Sequence, residues 1–129
     1  MTTEEAREYF AGDRFATKVT GIEILEKTDG RAVCSLKLTD EHRNALGAVM
    51  GGAIYTLCDF AFAVATNDRE KHTVTAVSQI SYLSAAKGNI LTATTEPVKD
   101  GKRSCFYEIR VTDELGVAVA IAMTNGMHL

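Results

Sequence analysis

A chain of 129 residues with 46% hydrophobic content has enough apolar material for one domain core and too little length for two ordinary ones, so residues 1–129 read as a single unit. Its 14 Lys and Arg against 17 Asp and Glu leave a net charge of -3, which argues against a general affinity for nucleic acid or for an anionic membrane. Cys34, Cys58 and Cys105 are odd in number, far apart and set in apolar stretches, which describes free thiols in a reducing compartment rather than a disulfide framework.

The N-terminal stretch MTTEEAREYF is acidic and lacks the basic and apolar regions of an export signal. Thr3, Glu4 and Glu5 ahead of AREYF predict a short capped helix ending near Gly12. Two strands are predicted next, over 19–27 and 32–38, joined through the turn signal Asp29-Gly30 as a hairpin. After a polar loop over 39–50, Gly51-Gly52 opens a helix that runs to about Thr66. The period then returns to two, and strands are expected over 73–83, 89–98, 103–112 and 116–127.

This order is that of an α+β domain. A lone helix as apolar as 51–66 is best satisfied by an antiparallel sheet curled around it, with sheet edges left over that pairing with a second subunit would cover. The most apolar run, 53–65, is too short to span a bilayer and is interrupted by Asp59, so no membrane association and a cytoplasmic location are expected.

On the helix, Ile54, Leu57, Cys58, Ala61, Val64 and Ala65 share one stripe at about 100° per residue, the expected core face. The opposite stripe holds Tyr55, Thr56, Asp59, Ala63 and Thr66, framed by Phe60 and Phe62. Asp59 there is either a solvated surface acid or a carboxylate in a cleft lined by rings and small residues. Gly51-Gly52 at the helix start offers bare backbone N–H groups where the helix dipole favours developing negative charge, as an oxyanion requires.

Asn44, Gly47, Met50-Gly51-Gly52, Asp59 and Ala61, together with the order of elements over nearly the whole chain, resemble the hotdog-fold acyl-CoA thioesterases, in particular the PaaI-like (phenylacetyl-CoA thioesterase) group. The family usually has His where Met50 stands. The segment SQISYLSAAKG resembles the family's following strand and turn, with Ser84-Ala85-Ala86 in place of the common Pro-containing turn.

The resemblance implies a hotdog fold, a curved antiparallel sheet around one long central helix, paired into a homodimer and often a homotetramer, with active sites at the dimer interface. It implies hydrolysis of an aryl or a short- or medium-chain acyl-CoA to free acid and CoA, with no cofactor beyond the CoA carried by the substrate. In that scheme Asp59 acts as general base or nucleophile, the Gly51 N–H binds the oxyanion, Asn44 orients the water or thioester, and Thr75 assists the water from the partner subunit. Met50, Gly52, Tyr55, Phe60 and Phe62 would border the substrate, and Lys87 and Arg103 would meet CoA phosphates from nearby turns.

No metal site is expected, because His42, His72 and His128 are scattered without ligand spacing. Met50 also motivates a second reading, a non-catalytic hotdog domain that binds acyl-CoA or another small ligand. A hotdog dehydratase would need a His near the central helix, and none lies between Ala45 and Lys71.

Overall fold

The computed structural model describes residues 1–129: α1 (Thr3–Phe10), a π-helical turn (Phe15–Thr20), β1 (Ile22–Thr28), β2 (Arg31–Lys37), a 3-10 turn (Asp40–His42), α2 (Gly51–Thr66), β3 (Thr73–Tyr82), β4 (Ile90–Asp100), β5 (Ser104–Asp113) and β6 (Ala118–His128). The strands form one 6-stranded sheet in the order β1-β2-β4-β5-β6-β3, antiparallel at every pairing. The sheet curls around α2, which touches all of its strands. Alternation along β5 turns Cys105, Tyr107, Ile109 and Val111 inward onto the helix.

The curl encloses more of α2 than its predicted core stripe. Ile54, Leu57, Cys58, Ala61, Val64 and Ala65 are all buried as expected, and so are Phe60, Phe62 and Thr66. Phe60 packs edge-on against Phe10 of α1, with ring centroids 6.0 Å apart. Phe62 packs edge-on against Tyr107 at 5.5 Å. Thr66 turns its hydroxyl back to the Phe62 carbonyl at 2.8 Å. Phe62 is therefore a core ring and not part of a cleft wall, because the sheet wraps past the shoulder of the helix. Lys27 is buried too, and donates its ammonium to the Val64 carbonyl in the last turn of α2, where the helix dipole favours a cation.

The two sheet edges differ. Along β1, α1 supplies side-chain partners to the backbone: Arg7 Nε donates to the Ile24 carbonyl at 2.9 Å, and the Lys27 N–H donates to Thr3 Oγ1 at 3.1 Å. The β3 edge is covered less: Tyr55 reaches one carbonyl, that of Ser78, and Val74, Val77 and Tyr82 are exposed. Expected strand residues 19 and 20 instead close the turn Phe15–Thr20, which ends on Gly21 at φ 91 with the Gly21 N–H donating to the Ala16 carbonyl. The left-handed conformation open to glycine overrides the β preference of Val19 and Thr20. No helix is long and apolar enough to cross a membrane.

Candidate active site

The start of α2 is held from behind by the loop before it. His42 is buried, accepts the Thr39 N–H on Nδ1 at 3.0 Å and donates from Nε2 to the Thr20 carbonyl at 2.6 Å. Its own carbonyl accepts the Met50 N–H at 2.8 Å. Asn44 Oδ1 accepts from the Leu46 and Ala48 N–H groups at 3.0 and 3.1 Å, closing a turn around Gly47 at φ 82. The carbonyl end of Asn44 is thus committed to the loop, and the amide nitrogen of this exposed residue has no partner within the chain.

Met50 is the N-cap and offers no side-chain cap. Its carbonyl accepts from Ala53 and Ile54 at 3.0 and 3.3 Å, while the Gly51 and Gly52 N–H groups have no acceptor within the chain. The positive end of a 16-residue helix therefore presents two free donors. Tyr82, from the end of β3, donates its hydroxyl to the Gly51 carbonyl at 2.9 Å. A Cβ at Gly51 would lie 3.0 Å from Tyr82 Oη, whereas one at Gly52 would meet nothing within 4 Å. A cavity of about 400 Å³, lined by Val49, Gly51, Ile54, Tyr82, Leu83 and Ser84 among others, opens beside these donors.

Asp59 follows about two turns later on the exposed side of α2. It shares a cavity of about 320 Å³ with Asp13, Arg14, Phe15, Thr56 and Phe60. Burial raises the Asp59 carboxyl above its ordinary value, and the neighbouring Asp13 raises it further. Burial likewise raises Asp13. Two acids in one cleft with raised affinities for protons describe a place where a carboxylate is a stronger base than in water. Asp13 carries no periodic or motif signal, and Tyr82 looks like any strand aromatic, so neither was legible as a site residue.

Other expected site residues fall elsewhere. Tyr55 is half-buried and donates its hydroxyl to the Ser78 carbonyl of β3 at 3.4 Å. Thr75 is exposed on the open β3 edge, beside a bulge between Thr75 and Val77. Lys87 sits where α2 begins, its N–H bound to Asp113 Oδ2 at 2.8 Å. Arg103 sits at the far end, its carbonyl accepting the His128 N–H at 2.9 Å. The 11 residues of β4 separate them, about 30 Å or more at ~3.3 Å per residue. Within one chain they lie at opposite ends of the sheet.

A single long helix cradled in one curled antiparallel sheet defines a hotdog fold. Residues 46–120 match the Thioesterase superfamily, more than half of the chain, and the protein belongs to that family. It is 30% identical over 105 residues to the acyl-coenzyme A thioesterase PaaI of Escherichia coli, covering 81% of this chain and 75% of that protein. To the human acyl-coenzyme A thioesterase 13 it is 30% identical over 119 residues, covering 90% and 81%. The solved E. coli PaaI structure superposes with a TM-score of 0.87 over 100% of this chain and 96% of that one, at 24% identity. A hypothetical thioesterase protein of Streptococcus pneumoniae solved with coenzyme A gives 0.84 over 93% and 96%, at 27% identity. The chain is a PaaI-like hotdog thioesterase.

Proposed function

We propose that the protein hydrolyses an aryl or a short- or medium-chain acyl-CoA to the free acid and CoA, in a site completed by a second copy of the chain. The observation that carries this is a separation. Gly51 and Asp59 are eight residues apart on one helix, about 12 Å at ~1.5 Å per residue. An attacking group and an oxyanion donor must both come within about 3 Å of the reacting centre, so the two ends of this arrangement serve one carbonyl only if they come from different subunits.

In the proposed reaction Asp59 takes a proton from water, whose oxygen attacks the thioester carbonyl. The oxygen that becomes anionic accepts from the Gly51 N–H, with Gly52 beside it. The tetrahedral intermediate then expels CoA as a thiolate, a leaving group with a pKa of about 8.5 that needs little acid assistance. Alternatively the Asp59 carboxylate attacks directly and forms a mixed anhydride that water then hydrolyses. Single turnover in ¹⁸O water combined with trapping separates the two: label in the Asp59 carboxyl, or a trapped anhydride, shows the nucleophile role, and because anhydride hydrolysis at the acyl carbon leaves Asp59 unlabelled just as the base route does, only the absence of both supports the base role.

Asn44 is proposed to orient the substrate through its unpartnered amide nitrogen, and Thr75 to reach the site across the interface. Met50 contributes apolar surface but no hydrogen bond, so the oxyanion rests on backbone donors alone. Pairing of two β3 edges would form a homodimer, and Val98, Phe106 and Met123, exposed on β4, β5 and β6, supply apolar surface for assembly into a homotetramer. The reaction needs no cofactor.

The test is thiol release from a panel of aryl- and alkyl-CoA thioesters, with the native protein beside Asp59→Asn and Met50→His, and with mass in solution measured by light scattering. The expected result is turnover that falls at least about 100-fold in Asp59→Asn and rises in Met50→His. Full activity in Asp59→Asn would remove the assigned role. Saturable binding without turnover on any acyl class would instead favour a binding domain.

A further inference from the structure

At the end of the sheet where α2 finishes, strand register assembles three side chains that are far apart in sequence. Asp100 of β4 is the partner of Cys105 on β5, Cys105 is in turn the partner of Gly126 on β6, and His128 pairs with Thr73 of β3. One ligand atom from each of Asp100, Cys105 and His128 lies within 4.8 Å of the others. In a tetrahedral site with bonds of about 2.0–2.3 Å, neighbouring ligand atoms stand roughly 3.4–3.7 Å apart. The observed separations, 2.8 Å between His128 Nε2 and Asp100 Oδ1 and none above 4.8 Å, lie on either side of that spacing.

Hydrogen-bond accounting shows which nitrogen of His128 is available. The Thr73 hydroxyl has one proton, and it donates that proton to the Thr66 carbonyl at 3.0 Å. Its contact with His128 Nδ1 at 2.8 Å is then a hydrogen bond donated by Nδ1–H. The other ring nitrogen, Nε2, lies 2.8 Å from Asp100 Oδ1. A bare nitrogen lone pair and a carboxylate oxygen repel at that distance, so a cation belongs between them, either a second ring proton or a metal ion.

Two observations favour the metal. The Cys105 thiol lies in the same cluster as the imidazole and the carboxylate, and an ion of borderline softness takes all three together. The run from Nδ1–H to Thr73 to the Thr66 carbonyl is also the outer-sphere pattern that fixes the tautomer and ring orientation of a metal-binding imidazole. Beside the cluster, a cavity of about 460 Å³ is lined by Glu70, Lys71, His72, Asp100, Lys102 and His128 among others, so two of the three ligands face it while Cys105 is buried. The nearby Lys71 charge is partly offset by Asp29, 3.5 Å from its Nζ.

We propose that Asp100, Cys105 and His128 form a binding site for a divalent transition-metal ion of the zinc class, with water in the fourth position. Binding releases the Cys105 thiol proton and leaves a metal–thiolate bond, with no change of oxidation state. The ion ties the ends of β4, β5 and β6 together and, through Thr73, holds them to the last turn of α2.

The test uses the full chain stripped with a chelator and titrated with Co²⁺ and, separately, with Zn²⁺ followed by calorimetry. The expected result is one equivalent of Co²⁺ with a thiolate-to-cobalt charge-transfer band, displaced by Zn²⁺. The band is expected to vanish in Cys105→Ser and to survive in Cys58→Ser. His128→Asn is expected to lose tight binding, and Thr73→Val to weaken it by about 10- to 100-fold. Absence of saturable binding at micromolar metal would overturn the proposal, leaving a proton between His128 and Asp100. A charge-transfer band that persists in Cys105→Ser would overturn it as well.

Discussion

Replacing Gly51 with alanine should slow the enzyme, while the same change at Gly52 should not, although the two residues are adjacent at the start of one helix. An alanine is intrinsically preferred to glycine in a helix by up to about 1 kcal/mol, so propensity alone favours both substitutions. The difference comes from Tyr82. A Cβ at Gly51 would stand 3.0 Å from Tyr82 Oη and 3.1 Å from Cζ, against nothing within 4 Å at Gly52. Comfortable contact for such atoms is about 3.5–4.0 Å, so the ring or the helix start must yield by roughly 0.5 Å. That shift also loosens the 2.9 Å bond from Tyr82 to the Gly51 carbonyl. A misplacement of about 1 Å costs on the order of 100-fold in rate, and half of that displacement gives roughly tenfold, or about 1.4 kcal/mol of transition-state stabilisation. Thiol release measured across substrate concentration should place the loss in kcat, with thermal melting confirming that both variants fold. A Gly51→Ala enzyme as fast as native, or a Gly52→Ala enzyme slower than Gly51→Ala, would refute this account of the oxyanion donor.

Asp59→Asn should melt at a higher temperature than native at neutral pH even as it loses activity. The Asp59 carboxyl is raised by burial and by Asp13, so its ionised form costs stability above that raised value, and the gain from Asn should disappear as the pH falls below the ordinary carboxylate range. Asp13→Asn removes the charge that raises Asp59, so the acidic limb of the kcat/KM profile should move to lower pH; an unmoved limb would show that Asp13 does not act on Asp59. Gly126→Ala should destabilise by about 1–3 kcal/mol, because a Cβ there would lie 2.8 Å from Phe62 Cζ and 2.8 Å from Thr73 Cγ2. For a domain of this size that is about 4 °C in Tm per kcal/mol, readable by calorimetry.

The central helix was legible to the residue, because Gly51-Gly52 and Asn67-Asp68 punctuate it and no charge but Asp59 interrupts its apolar run. The strands were legible to within a few residues for the same reason, alternation between strong turns. The degree of wrapping was not. Periodicity names the most buried stripe of a helix but says nothing about how far a sheet curls past it, and so Phe62 was placed outside when it packs on Tyr107. Convergence between distant strands was also hidden. Lys87 and Arg103 each sit near turns, but only the topology reveals that the turns lie at opposite ends of β4. Conversely, His128 looked isolated because its neighbours Asp100 and Cys105 arrive by strand pairing.

The strand order also decides when the molecule becomes itself. β3 pairs with β6 and not with β4, the strand that follows it in sequence, and its first residue waits for a partner 55 positions later. As the chain leaves the ribosome, α2 can pack on β1 and β2, which are already made, but β3 has no strand to pair with until β6 has been made. Contacts this distant in sequence close slowly and leave apolar surface open to other chains in the meantime. A chain cut before the 11 residues of β6 would lose two strands, since β3 would have nowhere to dock. For this fold the far edge of the sheet closes only once β6 has been made.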